Sequence, residues 1–71
     1  MNIYKRLGIN LRNARHRRRL SQKELAEKLG CSSAHIGKIE NANVHCTIGE
    51  LERIAAALDV DYIDLITKRD T

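Results

Sequence analysis

The chain has 71 residues, of which 13 are Lys or Arg and 9 are Asp or Glu, giving a net charge of +4. A chain of that length suits a single domain, residues 1–71 with an ordered part of about 3–67 and a short tail over 68–71, whose core buries only about 60 % of the unfolded surface. No apolar run approaches the ~18 residues of a membrane span, and the opening MNIYKRLGIN lacks the apolar stretch of a secretion signal, so the expected location is the cytoplasm, with no membrane partner.

With no proline and four glycines the chain offers few strand breakers, and its apolar spacing is helical throughout. Ile3, Leu7, Leu11 and Ala14 step by three or four and form one stripe on a first helix of roughly residues 3–18, after which Leu20 plugs the core. Ser21 and Glu24 make an S-x-x-E capping box that opens a second helix. Leu25, Ala26 and Leu29 are its inner face, and Gly30 is a left-handed stop. Ser32 is the expected N-cap of a third helix carrying Ile36 and Ile39. The segment NANVHC reads as a loop, and Thr47 with Glu50 forms a second capping box. Ile48, Leu51, Ile54, Ala55 and Leu58 then share one face of a fourth helix. Asp61 caps a short fifth helix bearing Val60, Tyr62, Ile63, Leu65 and Ile66.

Charge is divided along the chain. Residues 1–46 hold ten basic and three acidic side chains, a balance of +7, and residues 47–71 hold three basic and six acidic ones, a balance of −3. A basic front and an acidic back suit a molecule that turns one face toward a polyanion. The densest part is RHRRR, residues 15–19. Arg17 and Arg18, at the end of the first helix and near the start of the second, are placed either to meet phosphate or to stay solvated. The absence of Phe and Trp argues against a single-strand binder, which needs aromatic stacking platforms.

Two helices of about eight residues joined by a short turn containing Gly are the sequence form of a helix-turn-helix. Ala26 is small where the second helix of the pair crosses, and Leu25, Leu29, Ile36 and Ile39 fix that crossing from beneath. With Ile36 and Ile39 turned inward, positions 33, 34, 37 and 38 point away from the core. LSQKELAEKLG, IGKIEN and LERIAAALDV, at their mutual spacing across almost the whole chain, resemble the Cro/C1-type (Xre-like) helix-turn-helix domains of phage repressors, restriction–modification controllers and small bacterial regulators.

That resemblance implies an all-α, five-helix, lambda-repressor-like domain with the helix-turn-helix in helices 2 and 3. It implies a transcription regulator, not an enzyme, that binds double-stranded DNA as a homodimer on a palindromic operator, with residues of about 32–41 in the major groove. Ser32, Ser33, Ala34, Gly37 and Lys38 match base-facing positions, and Lys38 is the strongest base reader because it can donate to guanine O6 and N7. Ser21, Gln22 and Lys23 at the start of the second helix, and Asn41 and Asn43 after the third, match phosphate-facing positions. The Arg matching Arg15 pairs internally with the Glu matching Glu40. The last two helices, with Ile63 as an exposed candidate, are the expected dimer surface. The chain departs from the family at Arg19 and Ala42, where glycine is frequent, and in lacking a proline before the fourth helix. The small residues at 33, 34 and 37 shift weight toward Lys38, water and DNA shape.

The rival reading keeps the fold and changes the role to a protein-interaction module, an antitoxin or anti-repressor, with a toxin or RNA polymerase as the kind of protein partner engaged. Cys31 matches a buried small position, and two cysteines are too few for a disulfide framework. A metal site from Cys31, His35, His45 and Cys46 lacks zinc-finger spacing, and no cofactor is implied. No nucleophile–base pair suited to catalysis is apparent.

Overall fold

The computed structural model describes residues 2–67, so the 68–71 tail lies outside the described residues. Five helices follow in chain order: α1 (Ile3–Arg17), α2 (Gln22–Leu29), α3 (Ser33–Glu40), α4 (Ile48–Leu58) and α5 (Tyr62–Ile66). Each start is set by a side chain that accepts a backbone N–H left unpaired by the first turn. Asn2 accepts from Lys5, Ser32 from His35 and Asp61 from Ile63. Ser21–Glu24 and Thr47–Glu50 form complete capping boxes.

The helix ends share one device. Leu20, Cys31, Asn43 and Val60 each return a backbone N–H to the carbonyl five residues earlier, which closes α1 to α4 in the same Schellman-type turn. The turn needs a residue at positive φ. Only α2 supplies a glycine, Gly30 at φ 72°, while Arg19, Ala42 and Asp59 adopt φ of 56°, 59° and 55°. The left-handed turn is therefore kept at 19 and 42, where the sequence has given up glycine.

Leu7, Leu11, Ala14, Leu25, Ala26, Ile36, Ile39, Leu51, Ile54, Ala55, Leu58 and Leu65 make the core, with Leu20, Leu29 and Cys31 packed at its edge. Two members of the expected stripes lie outside it. Ile3 is 49 % exposed and Ile48 is 75 % exposed. Both sit in the first turn of their helices, where the stripe runs past the end of the core. They line instead an apolar groove of about 370 Å³ with Tyr4, Leu51, Tyr62 and Ile66.

Three tertiary locks join the elements. Gly8 lets α1 cross directly over the end of α3, because a Cβ there would overlap the Glu40 carbonyl oxygen. Asn10 is buried, and its Nδ2 donates to the Leu65 and Thr67 carbonyls at 3.0 and 2.9 Å, tying α5 to α1. His35 Nε2 lies 2.7 Å from Glu50 Oε2 and links α3 to the first turn of α4. Among the described residues, no helix is long and apolar enough to cross a membrane.

Candidate nucleic-acid interface

Helix α3 buries Ile36 and Ile39. Ser33, Ala34 and Lys38 are exposed on its other side, and Gly37 is half-buried against the Gln22 amide. The Lys38 side chain has no hydrogen bond or ion pair among the described residues, so its ammonium is free to donate. Ser32 is exposed, but its hydroxyl already caps His35. Ser21 is occupied in the same way: its hydroxyl accepts from Glu24 N and its own N–H donates to the Glu24 carboxylate. The Ser21 N–H, and after it the Ser21 hydroxyl, hold the Glu24 carboxyl below its ordinary value. Ser21 thus orders the first turn of α2, and what that turn offers outward is its positive helix end, Gln22 and the exposed Lys23.

The arginine run divides. Arg15 is buried and grips Glu40 in a fork, Nε to Oε2 at 2.7 Å and Nη2 to Oε1 at 3.2 Å. Its Nη1 donates to the Leu20 carbonyl at 2.8 Å, closing the turn between α1 and α2. Arg17 is exposed without a side-chain partner among the described residues. Arg18, expected at phosphate, instead crosses to the end of α4. Its Nε donates to the Leu58 carbonyl at 2.9 Å and its Nη2 to the Asp59 carbonyl at 3.2 Å. The physical reason is the negative end of α4, whose last carbonyls lack helical partners and attract a cation.

Glu40 collects more than Arg15. Gln22 Nε2 donates to its Oε1 at 3.1 Å, and Arg12 Nε lies 3.5 Å from the same oxygen. Burial pushes the Glu40 carboxyl up, but the hydrogen bonds from Arg15 and Gln22, the Arg15 charge and the Arg12 contact outweigh it and hold the group below its ordinary value. Glu50 is lowered as well, first by the His35 hydrogen bond and then by the Thr47 backbone N–H. Burial near Glu50 raises the Cys46 thiol to about 11, which keeps it protonated and unreactive at neutral pH. Among the described residues no group of His, Cys, Asp and Glu is arranged to hold a metal ion.

Residue spacing missed Arg12, Asn10, Gly8 and His35. Asn10 had a signal, since it falls on the α1 stripe three residues after Leu7 and four before Ala14. Arg12, one residue off that stripe, had none.

With α2 and α3 packed as a capped pair and the outer face of α3 unobstructed, the geometry is that of a helix-turn-helix, and residues 6–65 match the family described as Helix-turn-helix domain. The chain belongs to that family. It is 33 % identical over 69 residues to the control protein C.SmaI of Serratia marcescens, covering 97 % of this chain and 82 % of that protein. An uncharacterized HTH-type transcriptional regulator, y4dL of Sinorhizobium fredii, is 36 % identical over 53 residues, 75 % of this chain, which spans only 27 % of that relative's length. The crystal structure of the restriction-modification controller protein C.AhdI from Aeromonas hydrophila superposes with a TM-score of 0.83 at 27 % identity, covering 87 % of this chain and 90 % of that one. The chain therefore belongs among DNA-binding transcription regulators of the Cro/C1 type, not among enzymes.

Proposed function

We propose that this protein is a sequence-specific regulator that binds double-stranded DNA as a homodimer, with α3 in the major groove of each half of a palindromic operator. The observation that carries this is the outer face of α3: Ser33, Ala34 and an unpaired Lys38 stand exposed, backed by a rigid core. Lys38 is the base reader. Ser33 and Ala34 allow close approach and leave part of the discrimination to water and groove shape. Gln22, Lys23, Arg17, Asn41 and Asn43 hold backbone phosphates around it, and Ser21 serves through its cap.

The second copy docks on the groove formed by the starts of α1 and α4 with α5, where Ile3, Ile48 and Tyr62 are exposed. Exposing that many large apolar side chains on so small a domain is costly, and a two-fold related copy would cover them. Likeness to the control protein C.SmaI and to the restriction-modification controller protein C.AhdI favours control of restriction–modification genes as the biological setting. Selection of bound sequences from a random duplex library tests the reading. A two-fold symmetric site with half-sites about one helical turn apart supports it. Stoichiometric capture of a protein partner, with no duplex enriched, would replace it with the interaction-module role.

A further inference from the structure

Three side chains from α1 and α2 converge on one carboxylate of α3. The Glu40 side chain is fully covered, and beyond its fork with Arg15 it takes Gln22 from α2 and Arg12 from α1. Arg12 in turn donates Nη2 to Asn41 Oδ1, just past α3, at 3.3 Å. The chemistry fixes both amides. An ionised carboxylate only accepts, so Gln22 must turn its NH₂ toward Glu40. A guanidinium only donates, so Asn41 must turn its oxygen toward Arg12.

The outward side of the cluster follows from those orientations. The Asn41 NH₂, the second N–H of the Gln22 amide and the remaining N–H groups of Arg12 are donors with no partner among the described residues. Arg12 and Arg15 against Glu40 leave one positive charge. Arg12 carries it outward, since its side chain is 47 % exposed and that of Arg15 is 9 % exposed. Donors around a single net positive charge, beside the first turn of α2, suit an oxyanion.

We infer that Arg12, Gln22 and Asn41 form one site for a single DNA backbone phosphate, with the buried Glu40 as the residue that positions all three. The inference rests on the DNA-binding reading above and adds Arg12 to the DNA-facing set, in the place that chain position had suggested for Arg18. A phosphate fixed at the junction of α1, α2 and α3 sets how α3 sits in the groove, because backbone contacts fix register while base contacts specify sequence.

The test uses the full chain and the duplex selected by the wild type, with affinity measured by fluorescence anisotropy over a range of salt. Arg12→Gln is expected to lower the log–log salt slope by about one and to leave the selected sequence unchanged. Arg12→Lys is expected to keep the slope, since one cation remains, and Arg18→Gln to keep it because Arg18 is engaged with α4. Asn41→Asp preserves the oxygen that Arg12 needs and replaces the outward NH₂ with negative charge, so binding should weaken about tenfold or more. Unfolding curves confirm that each variant is folded. An unchanged slope in folded Arg12→Gln, or unimpaired binding by Asn41→Asp, overturns the site. A wild type that enriches no duplex overturns the DNA-binding reading itself, which separates the two failures.

Discussion

Replacing Glu40 by Gln keeps the shape of the side chain and removes its charge, and the geometry indicates which bond is lost. A Gln offers one oxygen and one NH₂. The oxygen serves best at the Oε1 position, where Arg15, Gln22 and Arg12 all point. The NH₂ then faces Arg15 Nε across 2.7 Å, donor against donor. Arg15 keeps its bond to the Leu20 carbonyl but loses its counter-charge in a covered position. Breaking one partner of a buried ion pair costs about 3–5 kcal/mol, and the surviving Leu20 bond places this case at the lower end. A domain of this size has only about 4–10 kcal/mol in total, so Tm should fall by more than about 10 °C. Urea unfolding followed by circular dichroism measures the difference. The Glu40 carboxyl is lowered in the folded chain, so the unfolded chain takes up the proton first on acidification. The stability that Glu40 contributes is therefore full above its ordinary value of 4.5 and is lost as the pH falls through the folded value. The gap between wild type and Glu40→Gln should be widest at pH 7 and shrink in acid. A gap below about 1 kcal/mol at pH 7, or one that acid leaves unchanged, would refute the role assigned to this pair.

The turn residues give an opposite effect: Arg19→Gly and Ala42→Gly relieve left-handed backbone at φ of 56° and 59° and should each raise stability by about 0.5–1 kcal/mol in the same unfolding assay. Gly8→Ala, which improves helix propensity on paper, should destabilise by about 1–3 kcal/mol, since its Cβ meets the Glu40 carbonyl and α1 must move off α3. Ile48→Glu, at a position 75 % exposed, should leave thermal stability of the isolated chain within about 0.5 kcal/mol. In sedimentation velocity the same variant should run as a monomer where the wild type runs as the proposed dimer, and a variant that dimerises as well as the wild type would move the docking surface elsewhere.

Helix starts were legible because caps are local: Ser21 with Glu24 and Thr47 with Glu50 announce themselves within four residues, as does Gly30 at the end of α2. The inward faces of α2 and α3 were legible for the same reason, since a 3.6-residue period needs no knowledge of the partner. The ends of α1 and α3 were harder. Arg19 and Ala42 hold a glycine conformation without a glycine, so the turn is dictated by the packing on either side and not by the residue itself. Ile48 misled because period alone cannot say where the core stops. Gly8 and Asn10 act through elements 32 and more than 50 residues away, and such contacts leave no local trace. Within the candidate site, the outer face of α3 could be read from the sequence. The sorting of the arginines could not, because which cation meets Glu40 and which meets the end of α4 depends on where those groups lie in space.

Whether α3 reads DNA through Lys38 is decided by a paired selection of bound sequences from one random duplex library with wild type and Lys38→Ala. The expected result is a two-fold symmetric site for the wild type and, for the variant, the same site with preference relaxed by about 1–3 kcal/mol at one position in each half. An identical base preference at every position in the two selections would exclude Lys38 as a base reader.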